Sequence, residues 1–252
     1  MFVIAHLSDV HIGATPEAVS RTEAVMRYLD ALPGELDAVL VTGDIADHGR
    51  AEEYETAAKL LASRHAVLIG PGNHDVRAEF RRVLLGDQGE RSTRPVNQVL
   101  RTPNAIYAMC DSSIPGQDAG RLDDETLGWL GGVLAGSGGL PVFVAFHHPP
   151  VQLHGPAIDG IRLHETGRLE ALLAEHPNVP AVLVGHAHTA AVTTFAGRPL
   201  LVGGGVVSTL TWPWEGGVTF DDCIDYALPP LIAFHVFDEN AGRVTTHYRV
   251  VP

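Results

Sequence analysis

Apolar runs of strand length alternate with stretches of helical period over the first three-quarters of the chain. Residues 2–7 read as a strand, 18–32 as a helix, 38–41 as a strand, 52–62 as a helix and 66–69 as a strand. Val19, Thr22, Val25, Met26, Leu29 and Leu32 follow the three-and-four spacing of one buried helix face, and Pro33-Gly34 stops that helix. Residues 86–103 carry Gly, Pro, Arg and Asn without a period, which predicts an excursion over the surface near whatever site the strands build. The alternation then resumes, with strands at 105–110, 142–146 and 181–184 and helices at 123–135 and 167–175. From Thr193 onward, short runs at 199–202, 231–237 and 244–251 are separated by Gly, Pro and Asn, which predicts hairpins rather than crossovers. There is no internal repeat or linker, so residues 1–252 are expected to form a single α/β domain with a mixed sheet or two packed sheets.

Composition narrows the partners. Apolar residues make up 45% of the chain and charged residues 19%, enough to bury a core. The formal charge of −13 has the wrong sign for gripping long nucleic acid, which needs clustered Lys and Arg. Apolar stretches such as 141–146 fall far short of the roughly 20 residues that cross a bilayer, and no basic leader precedes the first strand. The expectation is a cytoplasmic protein with no membrane partner. Cys110 and Cys223 show no framework or close metal spacing and are expected to be buried thiols. Fourteen histidines in so acidic a chain point toward metal ions.

Five short clusters each follow a predicted strand: Asp9-Val10-His11, Gly43-Asp44-Ile45-Ala46-Asp47, Gly72-Asn73-His74-Asp75, His147-His148-Pro149-Pro150 and Gly185-His186-Ala187-His188. Ligand sites form at the carboxyl ends of strands in open α/β sheets, so the clusters can meet in space. Carboxylate, imidazole and one amide, without thiolate, suit Mn, Fe, Co or Zn. Taken singly, Asp9 reads equally as a turn cap, Gly43-Asp44 as a turn, and Asn73 to Asp75 as a polar loop. Their joint order at strand ends separates them from such background.

The set resembles the calcineurin-like metallophosphoesterases, whose pattern is D-x-H, G-D-x-x-D, G-N-H-D/E, H and G-H-x-H. The resemblance runs from Asp9 to His188. It implies an α/β (α+β) four-layer sandwich, two mixed β-sheets flanked by helices. It also implies that Asp9, His11 and His188 bind one metal, that Asn73, His147 and His186 bind a second, and that Asp44 bridges them. The ions would be divalent or trivalent, drawn from Mn, Fe, Zn and Co. His74 corresponds to the family's non-ligand histidine beside the phosphate, and Asp75 is placed in sequence to orient its ring. The expected reaction is in-line attack by a metal-bound hydroxide on a phosphate ester, with His74 stabilising the phosphoryl group or protonating the leaving alkoxide.

Departures narrow the substrate. Protein Ser/Thr phosphatases carry Arg-Gly where this chain has His48-Gly49, and purple acid phosphatases place a Tyr ligand where Asp47 stands. Residues 111–116, then Gly120-Arg121-Leu122, and His147-His148-Pro149-Pro150 resemble the bacterial class III cyclic-nucleotide phosphodiesterases, a branch that includes glycerophosphodiesterases. A small-molecule phosphodiester is therefore the expected substrate. The alternatives are a phosphomonoesterase or nucleotide pyrophosphatase on the same metals, and a non-catalytic interaction scaffold. His148 is expected beside the ligands or facing substrate, Arg77 to meet phosphate or pair with an acidic neighbour, and His154 and His164 to be solvated loop residues. Trp212 and Trp214 are expected to line a pocket, make a dimer contact or be buried in packing. Residues 203–226 are expected either to cover the site or to pair two subunits as a homodimer.

Overall fold

The computed structural model describes residues 1–87 and 93–252. Two mixed sheets carry the chain. The first has strand order β13-β12-β1-β2-β3, built from β1 (Phe2–Leu7), β2 (Ala38–Thr42), β3 (Val67–Gly70), β12 (Leu231–Asp238) and β13 (Arg243–Val250). The second has order β4-β5-β6-β7-β9-β8, built from β4 (Gln98–Arg101), β5 (Ile106–Met109), β6 (Val142–Ala145), β7 (Val182–Val184), β8 (Ala191–Phe195) and β9 (Arg198–Val202). Within them β1, β2 and β3 run parallel, as do β5, β6, β7 and β9, while β12, β13, β4 and β8 pair antiparallel at the flanks. The central strands are continuously apolar because both their faces are covered, whereas β4 and β13 alternate half-buried and exposed positions.

The sheets pack face to face. Phe2, Ile4, Leu40 and Leu68 of the first meet Tyr107, Met109, Phe143, Leu183 and Leu201 of the second. The Phe143 ring stacks on Tyr107 at 5.7 Å and takes Phe2 edge-on at 6.1 Å. On the outer face of the first sheet lie α1 (Glu17–Asp30), α2 (Ala51–Leu60) and α3 (Arg77–Leu84), burying Val25, Met26, Leu29, Tyr54 and Phe80. On the outer face of the second lie α4 (Asp124–Ala135), α5 (Pro156–Asp159) and α6 (Gly167–Ala174), burying Leu127, Leu130, Leu134, Leu169 and Leu173. The molecule is thus a four-layer α/β sandwich, as expected. The alternation predicted across 2–69 and 105–184 is present, with element ends shifted by one or two residues.

Three elements depart from expectation. Helix α3 was not foreseen, because its eight residues bury only Phe80, whose ring meets Tyr54 edge-on at 5.9 Å. The stretch 86–103, expected to be an irregular excursion, contains β4, an edge strand registered on β5 from Gln98↔Met109 to Arg101↔Ile106; residues 88–92 of that stretch lie outside the described residues. After Thr193 the hairpins β8–β9 and β12–β13 form, but β9 also pairs parallel with β7. Residues beyond β9 add the ribbon β10 (Thr209–Leu210) with β11 (Ile224–Asp225), enclosing a 3-10 turn and α7 (Phe220–Cys223). Arg21 of α1 holds this segment: its Nε donates to the Val206 carbonyl at 2.8 Å, its Nη1 to Tyr226 at 3.1 Å, and its Nη2 to Leu228. No helix among the described residues is long and apolar enough to cross a membrane.

Candidate metal centre

The five clusters follow β1, β2, β3, β6 and β7 and converge at the carboxyl edge of both sheets. Backbone bonds lock the first two together: Asp9 N–H donates to the Gly43 carbonyl at 3.1 Å and His11 N–H to that of Asp44 at 2.9 Å. Asp9, His11, Asp44, His186 and His188 all adopt positive φ, from 42° to 68°. Such strain in non-glycine residues is held only where the surroundings fix it, and it collects at functional sites. Gly43, at φ 101°, lies under the His147 ring, where an added Cβ would come within 2.4 Å of Nδ1.

Asp44 sits at the middle. Its Oδ1 accepts the His74 backbone N–H at 2.9 Å, which turns Oδ2 toward His11 Nε2 at 3.4 Å and His147 Nε2 at 3.2 Å. Asp9 accepts the His186 N–H on both oxygens at 3.2 Å, and its Oδ1 lies 3.5 Å from His188 Nε2. His11 Nε2 and His188 Nε2 are 3.2 Å apart, and His147 Nε2 and His186 Nδ1 are 3.1 Å apart. Nitrogen atoms this close, with the Asp9 and Asp44 carboxylates beside them, suit a shared cation.

The far nitrogens of three rings are anchored, which fixes the near ones as ligands. His11 Nδ1 meets Asp47 Oδ1 at 2.9 Å, His147 Nδ1 donates to the Thr42 carbonyl at 2.7 Å, and His188 Nδ1 meets Ser208 Oγ at 2.7 Å. Asn73 Oδ1 and His186 Nε2 are buried without a partner, an expensive state that a metal in the cluster would relieve for the amide oxygen. Among the described residues four overlapping groups are able to hold an ion: Asp9 with His11 and His188, Asp9 with Asp44 and His147, His11 with Asp44 and His74, and His147 with His148 and His186. The donor set therefore fits bound metal cations.

Electrostatics agree. Burial disfavours charge on the His147 ring, but Asp44 and Asp9 outweigh it and raise its pKa to about 9. His11 is raised by the same contest, burial against Asp47, Asp44 and Asp9. Burial alone would push the Asp44 carboxyl up, yet His147 and His11 hold it well below the usual carboxylate range. Burial lowers His188 to about 4 and drives His186 well below its ordinary value. The centre is thus a place where positive charge is stabilised, and neutral imidazoles wait beside it.

The remaining expected residues fall into distinct places. His74 is 40% exposed, its Nδ1 donates to the Asp47 carbonyl at 2.8 Å, and its ring meets His11 edge-on at 4.6 Å. The expectation that Asp75 orients that ring is corrected. Its carboxylate accepts the backbone N–H groups of Gly72 at 2.8 Å and of Ile45 and Ala46 at 3.1 Å, so it shapes the turn carrying Asp44. His148, expected beside the ligands or facing substrate, is fully buried beside them, its ring 4.7 Å from that of His186, with Nδ1 on Ser112 Oγ at 2.8 Å and Nε2 on the Asp118 carbonyl at 3.1 Å. Arg77 pairs with Asp111 at 2.8 Å and donates to the Thr93 and Ser113 carbonyls, so its acidic-neighbour alternative is the one realised. His154 and His164 are exposed. Trp212 and Trp214 stack on each other at 5.7 Å away from the cleft, and Trp214 is 73% exposed, which overturns burial for that residue. Cys110 and Cys223 are buried free thiols.

The calcineurin-like phosphoesterase family matches residues 2–190. The chain belongs to that family. Its members use a dinuclear divalent metal site, and the Asp and His groups described here are able to bind metal. A probable cyclic nucleotide phosphodiesterase from Rhodococcus erythropolis is 32% identical over 210 residues, 79% of this chain and 69% of that protein. A glycerophosphodiester phosphodiesterase, GpdQ, from Enterobacter lignolyticus is 32% identical over 203 residues, 77% of this chain and 73% of that one. Among solved structures, a dimetal phosphatase from Danio rerio shares the fold with a TM-score of 0.70 at 16% identity, covering 100% of this chain and 96% of that one. This metallophosphoesterase is therefore a hydrolase with phosphodiesterase relatives.

Proposed function

We propose that the chain hydrolyses a small phosphodiester, a 3′,5′-cyclic nucleotide or a glycerophosphodiester-like molecule, to a phosphomonoester. The observation that carries this reading is the cleft over the ligand cluster. His11, Asp44, Asp47, Asn73, His74, His186 and His188 form its floor, apolar side chains form its wall, and no Lys or Arg is among the described residues that line it. A monoanionic diester can be neutralised there by cations held in the floor. A dianionic monoester or a pyrophosphate would bring more charge than the wall can answer.

Asp9, His11 and His188 would hold one ion, Asn73, His147 and His186 the other, and Asp44 both, with Mn, Fe, Zn and Co suited to the donors. When bound, the pair supplies an acidified water and a clamp on phosphoryl oxygens. His74 handles the proton: its Nδ1–H is committed to the Asp47 carbonyl, so Nε2 is the atom left to give a proton to the departing alkoxide, which it does from the imidazolium form, leaving the neutral Nδ1–H ring. Asp75 keeps the Asp44 turn rigid, and the buried His148 supports the loop at Ser112. A cytoplasmic location agrees with the two free thiols, and cell fractionation reads it directly. The exposed apolar residues around Trp214 and Val218 support a homodimer.

The test compares bis(p-nitrophenyl) phosphate with p-nitrophenyl phosphate, with Mn²⁺ and with chelator. Faster diester cleavage that chelation abolishes is the expected result. Preference for the monoester would replace the reading with a phosphatase, and no metal-dependent turnover of either would leave a binding scaffold.

A further inference from the structure

The space around His74 is double. One recess, of about 160 Å³, has its apolar wall in Ile158, Ile161, Phe220, Ile224 and Tyr226. A second, of about 290 Å³, is bounded by Val76, Ala78, Ile114 and Pro115, with Arg77 and Thr93 at its side. Asn73 and His74 line both, the only described residues to do so. Each recess is several times the roughly 30 Å³ share of one water in the liquid, so each has room for an organic group.

Among the described residues neither recess offers a free cation for a second anion. The Arg77 guanidinium faces Asp111 and two carbonyls, which ties α3 to the 111–116 loop and neutralises the one cation among the described residues that line the second recess. At the first, Phe220, Ile224 and Tyr226 remain 45%, 40% and 48% exposed, apolar surface that a bound group would cover. Arg21 holds the backbone of this wall in place through the Val206, Tyr226 and Leu228 carbonyls.

A phosphodiester carries two organic groups that diverge from phosphorus. A cyclic diester closes both onto one sugar and needs one recess, whereas an acyclic diester places one group on each side. Resting on the phosphodiesterase reading above, we propose that the site is shaped for an acyclic phosphodiester, with one aromatic or apolar alcohol group against Phe220, Ile224 and Tyr226 and the other in the recess of Val76, Ala78, Ile114 and Pro115.

The test uses phenyl p-nitrophenyl phosphate and methyl p-nitrophenyl phosphate, which share a leaving group and differ in the retained one, beside 3′,5′-cyclic AMP. The metal-loaded wild type should show a phenyl-to-methyl ratio of kcat/KM of at least about fivefold, the range of one aromatic stacking contact. The Phe220→Ala/Tyr226→Ala variant removes one wall and Ala78→Trp fills the other recess; at least one should bring the ratio toward one. Ala78→Trp should also cost the phenyl ester more than cyclic AMP. Diphenyl phosphate, as a competitive inhibitor, should weaken in the same variants. A wild-type ratio near one, a ratio unmoved by both variants, or cyclic AMP as the far better substrate would overturn the inference while leaving the diester reading intact. Failure of the wild type to cleave any of the three diesters would overturn that reading and the inference with it.

Discussion

His74 stands at the meeting point of both recesses, and although it forms with His11 and Asp44 a further group able to hold an ion, its Nδ1 is committed to the Asp47 carbonyl. Replacing it with Ala should therefore separate chemistry from metal content. The expected result is a loss of about a hundredfold to ten-thousandfold in kcat, the range of a general acid, with two equivalents of metal still bound by elemental analysis. Loss of both metals would place the ring among the ligands instead. At this scale the residues of the centre were legible because carboxylate, imidazole and amide recur at strand ends with fixed spacing. The groups that aim them were not. Asp47 stands in one of the five clusters but without an assigned partner, and Thr42 and Ser208 are ordinary types; their partners lie 36, 105 and 20 positions away, and a carbonyl such as that of Thr42 carries no side-chain signal at all. Asp75 shows the converse: its place next to His74 in the chain suggested a contact, while its carboxylate turns to three backbone N–H groups instead.

Elements were legible where burial is periodic and long. Helix α1 buries Thr22, Val25, Met26 and Leu29 of the face read from spacing, with Ala18 inward in place of the exposed Val19, whereas α3 and β4 present too few apolar positions to rise above loop. One feature spans four strands. Thr42 of β2, His6 of β1, His235 of β12 and the half-buried Thr246 of β13 form a chain with both rings buried, with contacts of 2.9 Å from His6 Nε2 to Thr42 Oγ1, 3.1 Å between the rings, and 2.9 Å from His235 Nδ1 to Thr246 Oγ1. Burial lowers His6 to about 3, and burial with the facing His6 ring drives His235 well below its ordinary value. Both rings are thus neutral in the folded sheet but protonate near pH 6.5 once unfolded. Their contribution to stability is complete above about pH 6.5 and declines as pH falls toward 3, by up to about 1.4 kcal/mol per pH unit for each ring. Denaturant melts at pH 7 and pH 5 should show a larger loss for the wild type than for His6→Gln/His235→Gln. Equal losses would mean that other groups set the acid limit.

For the whole molecule, the alternation of strands and helices implied two covered sheets, and the inter-sheet layer of Phe2, Ile4, Tyr107 and Phe143 supplies what joins them. The surface is where composition gave no guide. Trp214, Val218, Phe220, Ile224, Tyr226 and Leu228 are all large, apolar and at least 40% exposed, and they fall within 15 consecutive positions. A monomer rarely leaves so concentrated a patch in water. Part of it walls the first recess, but Trp214, Val218 and Leu228 are not among the residues of that cleft and remain to be covered. A second copy of the chain would cover them by an isologous contact. A charge of −13 on each copy opposes that contact over distances that salt screens, so association should strengthen from low to moderate ionic strength. Light scattering should then give about twice 26.9 kDa at about 0.15 M salt, with Trp214→Asp returning the mass to that of one chain. A wild-type mass of 26.9 kDa at every salt concentration would leave the segment as a cleft wall alone.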